Sequence, residues 1–235
     1  MRPPLVRSPL QAADSSRTAA DAPIRDRAAQ GAGLATGAAK PTRLARQVIL
    51  KKTFISAESL LRDSFELGRM IVRSGYRPTF LVGMWRGGAP IGIAVQEVLD
   101  YHEIPTDHIA IRTSSYQGID NQEKTVRVHA IDYLVSRLEA EDRLLLVDDV
   151  FDSGRSLEAV ISALRRRCRR NLPENIRTAT VYNKPSRHRS ALRPDYFVRE
   201  VEEWLVFPHE LQGLSREEIL ENKPVGLDFL NDRLP

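Results

Sequence analysis

Apolar positions along the chain fall into short unbroken runs separated by stretches with helical spacing. Residues 79–84 (TFLVGM), 108–112 (HIAIR), 144–147 (LLLV) and 178–182 (TATVY) have the length and content of buried strands. Between them, apolar residues recur every three or four positions. Leu60, Leu61, Leu67 and Ile71 follow Ser56, a suitable N-cap, and Ser64 lies on the same stripe. Ile91, Ala94, Val95 and Val98 follow Pro90, which fits the first turn of a helix. Ile131, Leu134, Val135 and Leu138 form a third stripe, and Leu157, Val160, Ile161 and Leu164 a fourth. Strand and helix therefore alternate. That order predicts an α/β fold: a mostly parallel, twisted sheet with helices on both faces. Residues 48–55 suggest an opening strand, and residues 113–128 read as a long polar loop of the functional or mobile kind. After Lys184 the pattern becomes irregular, with residues 195–211 expected as a strand plus a small hood. Ser215 and Glu218 have capping-box spacing and open a short C-terminal helix.

Composition changes this picture mainly at the ends. Residues 1–47 are rich in Ala, Arg, Gly, Ser and Pro and nearly lack large apolar side chains, so a disordered tail, or sequence upstream of the true start, is expected there. No apolar stretch resembles a secretory signal or a membrane span. The arginines of this segment permit a mitochondrial leader, but Asp14, Asp21 and Asp26 argue against it. The expected organisation is a tail over 1–47, one domain over 48–210, and a C-terminal extension over 211–235. Cys168 is the sole cysteine, so no intrachain disulfide can form, and a cytoplasmic location fits. Lys and Arg number 35 against 31 Asp and Glu, a mild excess dominated by arginine, which suits an anionic small molecule as well as nucleic acid. The five histidines are scattered, which disfavours a zinc site.

The chemistry concentrates in residues 143–156, RLLLVDDVFDSGRS. An apolar strand runs into Asp148, Asp149 and Asp152, then into Ser153, Gly154, Arg155 and Ser156. In parallel α/β sheets, ligands sit at the carboxyl ends of the strands. Buried carboxylates without partners cost several kcal/mol, so the pair should face a cleft and hold something. Carboxylates accept hydrogen bonds from sugar hydroxyls, and a glycine-containing turn at a helix N-terminus offers free N–H groups to a phosphate. The stretch reads as a cradle for a sugar phosphate. The plainer alternative is an acidic turn that caps a helix.

This stretch resembles the signature of the type I phosphoribosyltransferase family, and the chain is most similar to its 6-oxopurine branch over residues 50–210 or so. The resemblance implies the type I phosphoribosyltransferase fold and a purine-salvage reaction. The phosphoribosyl group of 5-phosphoribosyl-1-pyrophosphate would pass to hypoxanthine, xanthine or guanine, with release of pyrophosphate. It implies Mg2+ as cofactor, held by Asp148 and Asp149 with Glu210 as a further candidate. Glu210 stands where relatives often carry Asp. Asp152 takes the place of the carboxylate that faces the imidazole nitrogens of the base. MWRGGAP (84–90) resembles the pyrophosphate loop, with Arg86, Gly87 and Gly88 as its contacts and the Trp85–Arg86 bond as the candidate for a cis peptide. Ser115 and Tyr116 match the Ser-Tyr pair of the mobile catalytic loop. Lys184 matches the lysine that donates to the 6-oxo group, which disfavours adenine because an ammonium has only donors. Trp204 matches the aromatic residue stacked on the base, and the carbonyl of Leu205 faces the purine 2-position edge. Val206 and His209 depart from the bacterial xanthine-guanine pattern, so the preferred base stays open. A homodimer is the family habit; membrane is not expected as a partner, nor is nucleic acid.

Two rivals remain at this level. One is a non-catalytic sensor of the sugar pyrophosphate on the same fold, for which the basic run Arg165–Arg170 gives some support. The run also ends a helix, where cations suit the dipole. The other is a phosphoribosyltransferase acting on a different base.

Overall fold

The computed structural model of the chain describes residues 52–116 and 125–223. The expected tail, residues 48–51 of the opening strand, the segment 117–124 and the end of the C-terminal extension lie outside the described residues.

The elements follow in the order β1 (Lys52–Phe54), α1 (Ala57–Arg73), β2 (Phe80–Trp85), α2 (Gly88–Tyr101), β3 (Asp107–Tyr116), β4 (Thr125–His129), α3 (Asp132–Arg137), β5 (Arg143–Phe151), α4 (Arg155–Cys168), β6 (Asn175–Asn183), β7 (Tyr196–Glu200), β8 (Trp204–Val206) and α5 (Arg216–Asn222). Six strands form the main sheet in the order β4-β3-β2-β5-β6-β7. All its neighbours are parallel except β3 and β4, which pair antiparallel. The alternating α/β reading is therefore the architecture found.

Strand β5 shows why the sheet needs helices on both faces. Successive side chains point to opposite faces. Leu145 and Val147 pack into a cluster with Leu67 and Ile71 of α1 and Ile91, Val95 and Leu99 of α2. Leu144 and Leu146 join Leu134 of α3 and Leu157, Val160 and Leu164 of α4. The strand reads as a continuous apolar run because both faces are covered. Ser56 caps α1 by accepting the Ser59 N–H at 3.1 Å, and Ser215 with Glu218 forms the capping box of α5.

Three features correct or extend the sequence reading. The opening strand is present as β1 but stands outside the main sheet. It pairs with β8 in a separate two-stranded ribbon, with Lys52 opposite Trp204 and Phe54 opposite Val206. The described parts of the long polar segment are strand rather than loop: Ser115 pairs with Val126 and Tyr116 with Thr125. At the sheet's edge, β4 alternates Val126 and Val128 with Thr125, Arg127 and His129, a pattern of five residues too short to stand out beside the polar sequence before it. Finally, β5 does not stop at Val147. It outruns β2, whose register with it ends at the Gly83–Val147 pair, and continues against β6 to the Phe151–Asn183 pair. Asp148 and Asp149 are therefore strand residues held by one neighbour.

A bidentate ion pair ties α1 to the far edge of the sheet. Asp63 is buried, and Arg199 of β7 donates to both its oxygens at 2.6 and 2.8 Å. Removing a partner from a fully buried pair costs about 3–5 kcal/mol. Half the Arg199 side chain is in water, so Arg199→Ala is expected to cost about 2 kcal/mol and lower Tm by about 4–8 °C in thermal unfolding.

Candidate active site

The carboxyl edge of the sheet brings two glycine-bearing segments against one acidic pair. After β2, the Trp85–Arg86 peptide is cis, and the Ala89 N–H donates to the Arg86 carbonyl at 3.1 Å as the chain enters α2. The resemblance singled out that peptide. Gly87 and Gly88 lie flush against the end of β5. A Cβ on Gly87 would fall 1.7 Å from Asp149 Oδ2, and one on Gly88 2.4 Å from the Val147 carbonyl oxygen and 2.8 Å from Asp148 Cα. The two sequence motifs, sixty residues apart or so, thus meet at two glycines where any Cβ would press on the end of β5.

The acidic pair is tightly interlocked. Asp148 Oδ1 accepts the Asp149 N–H at 3.0 Å, and Asp149 Oδ1 accepts the Val150 N–H at 2.7 Å. Some surface of each residue stays open, yet both carboxyls sit deep enough to be poorly solvated. Desolvation, then the neighbouring Asp149 charge, pushes Asp148 well above the usual carboxylate range. Asp149 is also raised, chiefly by desolvation and further by Glu210, while the backbone N–H of Val150, Asp148 and His209 oppose the shift. Two adjacent carboxylates that resist ionising together are stabilised by any cation brought close to them.

Beyond Phe151, the chain turns through Asp152, Ser153 and Gly154 into α4. Gly154 has φ of +76°, and a Cβ there would meet the Phe151 ring at 2.6 Å and Ser190 Oγ at 2.4 Å. Only glycine serves both demands. The first backbone bond of α4 runs from Glu158 N–H to the Gly154 carbonyl. Among the described residues, the N–H groups of Ser153, Gly154, Ser156 and Leu157 have no acceptor, and that of Arg155 has only a long contact of 3.4 Å to Ser153 Oγ. A set of unpaired amides on a helix N-terminus beside an acidic pair can receive a phosphate.

The remaining candidates distribute around this centre. Asp152 is not free: Arg187 Nε donates to it at 2.9 Å. Arg187 gave no signal in the sequence beyond belonging to the basic cluster after Lys184. Lys184 is buried at the end of β6, its backbone N–H donating to the Phe151 carbonyl at 2.9 Å, and its ammonium has no hydrogen bond among the described residues. Arg86 and Arg155 are exposed. Ser115 and Tyr116 stand at the end of β3, and only their backbone is described. In the hood, Trp204 is half-exposed while Leu205 is buried. Glu210 lies near enough to Asp149 to raise its pKa, but its Oε2 already accepts the Phe207 N–H at 3.0 Å. The described residues hold no ready-made cluster of three or more His, Cys, Asp and Glu for a metal. Two carboxylates do match a cation of the magnesium type, which keeps waters and leans on one or two carboxylates plus substrate phosphates.

A mostly parallel α/β sheet with an acidic pair and a glycine turn at its carboxyl edge defines a class of sheet-edge binding proteins. The chain belongs to the phosphoribosyl transferase domain family, whose model matches residues 55–215, and it is an enzyme of that class. It is 27% identical over 180 residues to a hypoxanthine-guanine phosphoribosyltransferase of Lactococcus lactis, covering 74% of this chain and 88% of that one. It is 33% identical over 169 residues to a xanthine-guanine phosphoribosyltransferase of Desulfotalea psychrophila, covering 69% and 89%. The structure of a purine phosphoribosyltransferase from Pyrococcus horikoshii matches with a TM-score of 0.56 at 26% identity, over 70% of this chain and 98% of that one.

Proposed function

We propose that this phosphoribosyltransferase moves the phosphoribosyl group of 5-phosphoribosyl-1-pyrophosphate onto a 6-oxopurine. The observation that carries the reading is the contact of Gly87 and Gly88 with the Asp148–Asp149 pair, next to the unpaired amides of the α4 turn. The names of the relatives support the substrate class.

In the reaction, a purine nitrogen bonds to C1 of the ribose as the C1–pyrophosphate bond breaks, with the electron pair leaving on pyrophosphate. Ser153, Gly154 and Ser156 hold the 5-phosphate through backbone N–H groups, with Arg155 beside them. Asp148 and Asp149 accept the ribose hydroxyls. Gly87 and Gly88 let the backbone approach the pyrophosphate, and Arg86 adds charge-assisted hydrogen bonds. Asp148 and Asp149 would hold Mg2+, with Glu210 as a further contact through its second oxygen, and the ion would supply positive charge against that of pyrophosphate. Asp152, oriented by Arg187, takes the proton from the imidazole edge of the base. Lys184 donates to the 6-oxo group, Trp204 stacks on the ring, and the Leu205 carbonyl meets the 2-position. Ser115 and Tyr116 belong to the segment that closes over the site and excludes water.

Two variants separate these roles. Lys184→Gln is expected to raise KM for the base about tenfold or more, with KM for the sugar pyrophosphate unchanged. Asp152→Asn should lower kcat more than it weakens sugar-pyrophosphate binding; steady-state kinetics at wild-type values for both parameters would refute the role.

We also propose a cytoplasmic homodimer organised on domain 48–210. The half- to fully exposed Trp85, Ile93 and Tyr101 support association. No helix among the described residues is long and apolar enough to cross a membrane. The direct test of the function is to incubate the full chain with phosphoribosyl pyrophosphate, Mg2+ and each of hypoxanthine, guanine, xanthine and adenine. Nucleotide is expected from at least one of the first three; its formation only from adenine, or from none, would overturn the reading.

A further inference from the structure

At the opposite end of the same strands lies a second cluster of charge. Arg77 precedes β2, Arg143 opens β5 and Arg177 lies near the start of β6. With Ser74, Tyr76 and Asn175 they line a cavity of about 470 Å³. Each guanidinium is positioned by neutral groups. Arg77 donates to the Val72 and Tyr76 carbonyls at 3.2 and 3.3 Å, and Arg143 Nε to the Arg77 carbonyl. Arg177 donates to the Tyr196 hydroxyl and stacks over the Tyr76 ring at 4.6 Å. Tyr76 is itself fixed, its hydroxyl donating towards the Leu144 and Asn175 carbonyls at 3.0 and 3.2 Å.

What sets the cluster apart is its charge balance. Among the described residues, no carboxylate pairs with any of the three arginines. Two acids close by in the fold hydrogen-bond to neutral groups instead. Asp195 accepts the N–H and hydroxyl of Thr178 at 2.8 and 3.1 Å, and Asp142 accepts the Thr79 hydroxyl and the Glu139 N–H at 2.8 Å each. Three cations from three segments thus share one cavity without an internal counter-ion. Like charges held together without compensation are unfavourable, and an anion relieves them. The carbonyl contacts consume one side of the Arg77 and Arg143 forks and leave other N–H groups for a ligand. Planar forks match phosphate oxygens bidentately.

We propose that this cavity binds an oligophosphate group, either inorganic or carried by a nucleotide, at a site separate from the candidate active site. The nine residues of β5 run from Arg143 at one site to Phe151 at the other, a separation of roughly 25 Å at strand rise. The site does not rest on the proposed transfer reaction, so failure of the transfer assay leaves its test intact.

The test is calorimetric titration of the full chain at low salt with inorganic tripolyphosphate, and in parallel arms with ATP and GTP. Arg77→Gln/Arg143→Gln is expected to weaken one binding event at least tenfold while KM for phosphoribosyl pyrophosphate stays at its wild-type value. Arg77→Gln alone touches only neighbouring carbonyls; should the double variant fail to fold, this single variant decides by a weakening of threefold or more. Equal affinity in the three arms supports recognition of the phosphate chain itself, and tighter nucleotide binding supports a nucleotide ligand. Isotherms of the variants that superimpose on wild type, or a single event wholly displaced by phosphoribosyl pyrophosphate, would overturn the proposal.

Discussion

Asp148→Asn is expected to remove transfer activity and, in the same protein, to stabilise the ligand-free fold. The two effects share one cause. Asp148 is pushed well above the ordinary carboxylate value of 3.8 by desolvation and by Asp149. A group whose pKa is raised in the folded state contributes stability below its unfolded pKa, and that contribution is lost as pH rises through the folded value. At neutral pH the ligand-free enzyme therefore carries a penalty that asparagine does not. We expect a gain of about 1 kcal/mol, or about 2–4 °C in Tm, in thermal unfolding without ligand at pH 7. The gain should shrink as the pH is lowered towards 4, where the carboxyl of the unfolded chain becomes protonated as well. On the proposed mechanism the same substitution removes a charge that would hold the sugar hydroxyls and Mg2+, so kcat/KM should fall at least about a hundredfold. A variant that loses activity together with stability would show that Asp148 is a structural acid.

The pair of glycines at the start of α2 gives the second large effect, because they differ in what they touch. A Cβ on Gly88 meets backbone: the Val147 carbonyl oxygen at 2.4 Å and Asp148 Cα at 2.8 Å. Strand β5 is fixed there by its pairing with β6, so the loop must move away. Gly88→Ala is expected to cost about 1–3 kcal/mol and most of the activity. A Cβ on Gly87 meets chiefly the Asp149 carboxylate, with Oδ2 at 1.7 Å. That side chain can swing aside, so Gly87→Ala should keep Tm within about 2 °C while kcat/KM falls about tenfold or more through the displaced carboxylate. Thermal unfolding and steady-state kinetics on the two variants check the contrast. Equal stability losses would mean that the loop does not rest on β5 as described.

Much of the fold was legible because the sheet is buried on both faces. Runs such as Leu144–Val147 and the helical stripes that cover them carry the pattern directly. The pairing of β3 and β4 was not legible, because Thr113, Ser114 and Arg127 sit at a solvated edge where polarity reads as loop. The separate β1–β8 ribbon was hidden because three-residue strands have no period of their own. At the candidate site, spacing singled out Asp148, Asp149 and Gly154, since an acidic pair at a strand end before a glycine turn is a compact signal. Partners distant in sequence were invisible. Arg187 on Asp152 and Arg199 on Asp63 are pairings that only the tertiary structure makes. The cluster of Arg77, Arg143 and Arg177 escaped for the same reason: strands that begin side by side gather residues from three separate segments.

The geometry at the end of β5 is tested most directly by a crystal structure of the full chain with phosphoribosyl pyrophosphate and Mg2+. The 5-phosphate should sit on the backbone N–H groups of Ser153, Gly154 and Ser156, with the ribose hydroxyls towards Asp148 and Asp149 and the pyrophosphate at Gly87 and Gly88. A ligand bound elsewhere, with the α4 amides still without an acceptor, would contradict it.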